Sequence, residues 1–294
     1  MADAPTKIWL MAARPKTLPA AVAPVFVGTA MAYADGGFHA LSATCALLGA
    51  LLIQIGTNLA NDYFDHAKGT DTPDRLGPTR VSQAGLVAPR KVLAATVLTF
   101  ALACVPGLYI VIRGGWPFVA VGLVSIACGV LYTAGPYPLG YLGLGDLFVL
   151  IFFGPVAVAG TYYVQALSVP GPVLLAGLGP GFLSVAILTV NNLRDADQDR
   201  IAGKRTLPVR FGRGFGKAEY LACFLVACIG IPVGIAAWNG RWWAAIAALT
   251  LLAAVPNIRV VLMREDGPSL NNALATTGKL LLLYSALLSV GWMI

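Results

Sequence analysis

Nine apolar runs, each close to the roughly 20 residues that a helix needs to cross the hydrocarbon core of a bilayer, divide this chain of 294 residues. They cover residues 17–34, 41–60, 91–110, 116–133, 145–165, 172–193, 218–238, 242–263 and 273–293. The runs are continuously apolar, whereas the strands of a membrane barrel need only about ten residues and alternate apolar with polar positions. Helices also satisfy every backbone amide within the segment, as lipid demands. The expected fold class is therefore all-α: a polytopic membrane helical bundle of nine transmembrane helices. Composition agrees, because charged residues make up 11% of the chain and a soluble surface wants about 25–35%.

The basic residues fix an orientation. With the N-terminus on the cytoplasmic side, 18 of the 20 Lys and Arg fall in inner segments and only Arg113 and Arg241 fall outside, as the positive-inside rule requires. That bias, with anionic inner-leaflet lipids, accounts for the net charge of +7, so membrane lipids are expected partners and nucleic acid is not. No clean cleavage site follows the first run before Asp35, and the N-terminus is expected to be retained. The five cysteines lie in apolar runs and contain no CxxC pair, and His39 and His66 lack metal-ligand spacing, so neither a disulfide framework nor a zinc site is expected. The chain reads as one domain, residues 1–294, in which 17–133 and 145–263 form a possible four-helix repeat and 273–293 an added ninth helix.

Carboxylates are scarce, so their positions carry information. Of 13 acidic residues, Asp62, Asp65, Asp71 and Asp74 follow the second run, and Asp195, Asp197 and Asp199 follow the sixth. Acids at membrane helix ends are functional candidates by default. Asn58, Asn61, Asp62 and Asp65 fall at i, i+3, i+4 and i+7, one face of a helix, and Asn191, Asp195 and Asp199 recur every four residues on another. Asp197 points away from that second stripe. Two such stripes facing each other call for a cation between them, and oxygen ligands from Asp and Asn suit Mg²⁺, with Mn²⁺ as the alternative. Mg²⁺ usually takes one or two protein carboxylates and completes its shell with substrate phosphates. Lys68, Arg75 and Arg80 lie beside the first stripe and Arg194, Lys204 and Arg205 beside the second, all suited to phosphate oxygens. The pattern predicts a Mg²⁺–diphosphate site at the membrane edge, with the helix of the second stripe ending near Gly203. Between the fourth and fifth runs, LYTAGPYPLGYLGLGDLF is rich in Gly, Pro and Tyr and reads either as a cap over that site, with Tyr132 as a candidate contact, or as a tight reverse turn at the interface with its tyrosines in the aromatic belt. GRGFG (212–216) lacks the strand and spacing of a dinucleotide loop, and no Walker A sequence occurs.

These residues resemble the UbiA superfamily of intramembrane aromatic prenyltransferases, whose marks are an Asn/Asp-rich first motif and a DxxxD second motif. Asn61, Asp62 and Asp65 match the first and Asp195 and Asp199 the second. The chain looks most like the 1,4-dihydroxy-2-naphthoate polyprenyltransferase branch, on ARPKTLPAAVAP, NDYFDHAKGTDTPDRLGPTR, LYTAGPYPLGYLGLGD, FFGPVAVAGTYYVQ and NNLRDADQDRIAGKRTLPVRFG, which cover much of residues 12–212. It departs from the superfamily's commonest first motif at Gly69, where a third acid would stand; the next acid here is Asp71.

The resemblance implies transfer of a polyprenyl group from polyprenyl diphosphate to 1,4-dihydroxy-2-naphthoate with loss of CO₂, giving demethylmenaquinone for menaquinone biosynthesis. It implies Asp65, Asp195 and Asp199 as catalytic, with Asn61 and Asp62 joining them as metal ligands. Asn58, Lys68, Asp71, Arg80, Tyr132, Asn191, Lys204 and Arg205 are then the expected substrate contacts. It also implies a bacterial cytoplasmic membrane, with the site on the cytoplasmic side and no obligatory protein partner. Acceptor identity rests on resemblance alone, so 4-hydroxybenzoate or homogentisate stands as the alternative. A cation-coupled transporter is the rival class, but transport sites lie near the bilayer midplane, and both acidic clusters here lie at one rim.

Overall fold

The structure, a computed structural model, describes residues 5–70 and 76–294 and is all-helical over them. We number its helices α1 (Pro5–Ala13), α2 (Pro19–Ala34), α3 (Ala40–Ala67), α4 (Pro89–Gly114), α5 (Pro117–Leu131), α6 (Gly145–Ala166), α7 (Gly171–Ile201), α8 (Leu207–Phe211), α9 (Arg213–Asn239), α10 (Trp242–Met263) and α11 (Gly267–Met293). Each of the nine apolar runs falls on one of these helices. Among the described residues seven helices are long and apolar enough to cross a bilayer, and an eighth span results if α1 and α2, bent by 56° at their junction, count as one. The chain is an integral membrane protein. α5, at 15 residues, is shorter than a span needs. The short helices α1 and α8 were not expected from the apolar pattern.

Proline and glycine shape the helices that matter. Pro15 disfavours the right-handed helical backbone at the preceding Arg14. Arg14 instead sits at φ 53°, ψ 70°, which breaks α1 from α2 and costs an arginine of order 1–2 kcal/mol. α6 is broken in its middle, where Gly154 leaves helical geometry ahead of Pro155 and the turn widens over Phe152–Val156. The break packs against α7 at Gly177 and Gly181, one helical turn apart. A Cβ there would come within 2.9 Å of Pro155 Cα and 2.7 Å of the Leu150 carbonyl oxygen, so only glycine admits this approach.

α7 is the central helix: 72% of its most apolar window is buried inside the bundle, against 22% for α3 and α4. It contacts α2, α6, α9 and α11, and the main core is built from these helices with α10. α3 and α4 pair as a hairpin on one side, with α5 laid against both and burying none of its own residues.

Helix ends gather at two rims. At one, Arg241, just before α10, pairs with Asp35 beyond α2 at 2.6 Å and stacks over Trp292 of α11. Nearby, Arg113 of α4 donates to the carbonyls of Val164 and Gln165 on α6. The two basic residues that break the positive-inside count are thus both tied into the protein. The opposite rim carries the ends of α3 and α7, and α1 joins it through Asn58, which donates to the Ala13 carbonyl at 3.0 Å.

Candidate active site

Both acidic stripes remain helical beyond their apolar runs. α3 continues to Ala67 and α7 to Ile201, so Asp65 and Asp199 stand on regular helix rather than in loops. Their rim faces line one cavity of about 610 Å³, with Asn58, Asn61, Asp65, Asn191, Asp195 and Asp199 all on its wall. Gly203, at φ +73°, ends α7 as expected and turns the chain so that Lys204 folds back over the helix end. The Lys204 ammonium lies 3.5 Å from Asp65 and 3.8 Å from Asp199, bridging the two stripes. Arg80 reaches Asp65 from the other loop at 2.9 Å.

Tyr141, which no spacing in the sequence marks, is the junction of this head. Its hydroxyl donates to Asp65 Oδ1 at 3.0 Å, and Lys68 and Lys204 lie 4.9 and 4.8 Å from its ring centre. Lys68 also donates to the Gly135 carbonyl, and partial burial lowers its pKa, opposed by Asp65 and reinforced by Lys204. The Arg205 N–H donates to the Tyr141 carbonyl, tying the tyrosine loop to the end of α7. Tyr132 lines the cavity, and Thr133 donates to Asn61 Oδ1 at 3.0 Å.

Several expectations need correction. Asp62 is buried off the cavity, and its two oxygens accept the backbone N–H groups of Val81 (2.9 Å) and Ser82 (3.0 Å). Its carboxylate holds the loop that carries Arg80 and is not offered to a cation in the cavity. Asp62→Asn turns one acceptor into a donor facing an N–H, and should cost about 1–3 kcal/mol. The measurement is thermal unfolding in detergent with tryptic cleavage at Arg80; wild-type behaviour in both would refute this anchoring role. Arg205 is exposed and absent from the cavity wall, so only its backbone serves the site. Arg194 is buried as well, and it grips Asp195 with two hydrogen bonds of 2.8 and 2.6 Å instead of facing the cavity. Asp71, Asp74 and Arg75 lie outside the described residues. Asp197 faces outward as expected and pairs with Arg213.

Most of the rest of the wall is apolar, with Thr17, Gln54 and Thr57 among its polar residues. It runs from the charged head between α3, α4, α5 and α6 to Leu123 and Leu108, which are exposed on the lipid-facing surface. Phe148 and Phe152 stack in parallel on α6, with ring centres 6.3 Å apart, and both face the cavity. A small anionic head and a long hydrocarbon tail would find complementary surfaces here.

The chain matches the UbiA prenyltransferase family over residues 21–288. It belongs to that family. A 1,4-dihydroxy-2-naphthoate octaprenyltransferase of Escherichia coli (strain K12) is 39% identical to it, over 97% of this chain and 95% of that one. The protein of the same description from Mycobacterium tuberculosis is 44% identical over 74% of this chain and 75% of its own. Among solved structures, a UbiA homolog from Archaeoglobus fulgidus bound to GPP and Mg²⁺ superposes with a TM-score of 0.64 at 17% identity, covering 95% of this chain and all of that one. Membership makes this chain a membrane-bound prenyltransferase, and the structural likeness shows the shared fold.

Proposed function

We propose that this protein transfers a polyprenyl group from polyprenyl diphosphate to 1,4-dihydroxy-2-naphthoate, with loss of CO₂, forming the quinol of demethylmenaquinone on the route to menaquinone. The observation that carries this reading is the cavity, which joins two Asp/Asn stripes and their cations at one rim to an apolar trough open to lipid. The acceptor follows the relatives named above.

Asp65, Asp195, Asp199 and Asn61 would hold a divalent cation, Mg²⁺ or alternatively Mn²⁺. The donor set supports this: the oxygens of both stripes line one cavity, and an ammonium already bridges Asp65 to Asp199. Among the described residues no three His, Cys, Asp or Glu converge to hold an ion alone, so substrate phosphate oxygens would complete its shell. A bound cation supplies charge stabilisation to the departing diphosphate. Lys204 and Arg80 take the remaining phosphate charge, and Tyr141 orients Asp65. The Phe148 and Phe152 rings stabilise the allylic cation by about 0.5–2 kcal/mol each. The apolar trough holds the tail and excludes water.

We assign the charged head to the cytoplasmic face of a bacterial inner membrane, because the basic residues concentrate in its loops. The two stripes stand at matching ends of α3 and α7, which supports the proposed four-helix repeat. The test incubates purified protein with a polyprenyl diphosphate, Mg²⁺ and each aromatic acid in turn. Prenylated, decarboxylated product from dihydroxynaphthoate, abolished by chelator and restored by Mg²⁺, is the expected result. Product from 4-hydroxybenzoate or homogentisate alone would move the acceptor, and no diphosphate release with any acceptor would reject the reaction.

A further inference from the structure

Two further acids, Asp146 of α6 and Glu219 of α9, lie within membrane-spanning helices away from the site described above, and we propose that they bind the primary ammonium of an amine-bearing phospholipid. Both line a second cavity of about 460 Å³, a groove between α6, α7 and α9. It shares no lining residue with the first cavity. On α6, Phe148 and Phe152 face the first, and Leu147 and Leu150 the second. Apart from the two acids and the Cys223 thiol, the wall of the groove is apolar, and Leu147, Phe215 and Val226 are exposed on the lipid-facing surface.

Acids in such a place call for a cation. Asp146 is 9% exposed, and its Oδ1 is buried with no hydrogen-bond partner. Glu219 is half-buried, and its Oε2 accepts a hydrogen bond from the Thr189 hydroxyl at 3.3 Å. Among the described residues neither carboxylate pairs with a Lys or Arg. A carboxylate left ionised and unpaired in an apolar wall is costly, so its presence marks a place where a positive group binds.

The surroundings select the kind of cation. No three His, Cys, Asp or Glu among the described residues converge as a bare metal ion would want, whereas the apolar walls open to lipid and suit an acyl chain. Depth agrees with a lipid head group. Asp146 is the second residue of α6 and Glu219 the seventh of α9, so both stand within about two turns of the rim where those helices begin. At that rim the exposed Arg210 of α8 stands beside Gly143, three residues ahead of Asp146, where an added Cβ would lie 3.4 Å from its Nε. A cation for the phosphate thus stands next to two anions for the ammonium, the charge pattern of a zwitterionic head group. A primary ammonium has three N–H donors to divide between two carboxylates, and such charge-assisted bonds are the strong ones.

Photo-crosslinking in vesicles tests the assignment. The full chain is reconstituted in phosphatidylglycerol with a trace of a phosphatidylethanolamine, phosphatidylcholine or phosphatidylglycerol probe carrying a diazirine in its acyl chain, and the crosslinked peptides are located by mass spectrometry. The ethanolamine probe should label the groove faces of α6 and α9 at least about tenfold more than the glycerol probe, and Asp146→Asn and Glu219→Gln should each cut that labelling by about 10- to 100-fold, the range for a lost charge-assisted bond. Equal labelling by the ethanolamine and glycerol probes, or labelling unchanged in both variants, would overturn the proposal and show that the acids recognise no head group. A choline probe as effective as the ethanolamine one would overturn the choice of a primary ammonium. Displacement of the ethanolamine probe by Mg²⁺ at constant ionic strength would overturn it too and give the groove to a metal ion. Should Asp146→Asn fail to fold, Glu219→Gln decides, because Glu219 is half-buried and the substitution keeps its shape.

Discussion

Asp199→Asn should lower turnover by roughly 10²- to 10³-fold or more and leave the fold intact, because a carboxylate facing developing diphosphate charge acts mainly in the transition state. The substitution keeps shape and volume. It removes one charge from the cavity wall, where Lys204 is the acid's nearby cation. Asp65→Asn should cost as much activity and some stability as well, since Arg80, Lys204 and Tyr141 all converge on that carboxylate. Asp197→Asn is the internal control. Its side chain is 72% exposed and paired with Arg213, so turnover should stay within about twofold of wild type, surface pairs being worth little. The decisive readout is diphosphate release at saturating Mg²⁺ beside thermal unfolding. Equal losses in Asp197→Asn and Asp199→Asn would show that the charge of this helix end matters and the phase of the stripe does not.

The stripes were legible in the sequence because helical phase survives at the ends of apolar runs: i, i+4 spacing puts Asp195 and Asp199 on one face whatever the helix packs against. The apolar runs fell on helices because a bilayer demands long apolar stretches, although among the described residues only seven, or eight with the bent α1–α2 pair, are long enough to cross. What sequence could not deliver was the partner of each charged group. Asp62 and Asp65 are three residues apart on the same turn of α3, yet one faces two backbone amides and the other faces the cavity. That difference depends on where the loop of Val81 folds. Arg194 and Lys204 likewise read alike, as cations beside an acidic stripe, until α11 packs against α7 and covers one of them. Tyr141 lies inside a stretch that the family resemblance marks. Its contact with Asp65 comes from a loop that no periodicity encodes.

Arg194→Met should destabilise the protein by about 3–5 kcal/mol, a larger stability loss than Asp62→Asn should bring, because it strips a buried carboxylate of its guanidinium. Arg194 is 1% exposed and spends its donors on Asp195, on Asn191 Oδ1 at 2.7 Å and on Asn271 Oδ1 at 2.8 Å. Asn271 in turn donates to the Leu76 carbonyl at 2.8 Å, so one guanidinium ties the second stripe to α11 and to the loop after α3. Methionine matches the aliphatic stem and fills the space, which separates lost charge from lost volume. Pairing it with Asp195→Asn removes the carboxylate that Arg194 faced, and the double variant should recover part of the lost stability while remaining inactive. Such recovery, read as thermal midpoints in one detergent, would identify charge compensation as the source of the effect. A midpoint for Arg194→Met within about 2 °C of wild type would refute it, since a loss of that size shifts the midpoint of a chain this long by several degrees. The physical logic is that a site built to bind a cation and a diphosphate must hold several acids together in a buried place. A fixed arginine behind Asp195 allows that without occupying the cavity in front of it, while the Lys204 ammonium between Asp65 and Asp199, on a flexible stem, can give way to what binds.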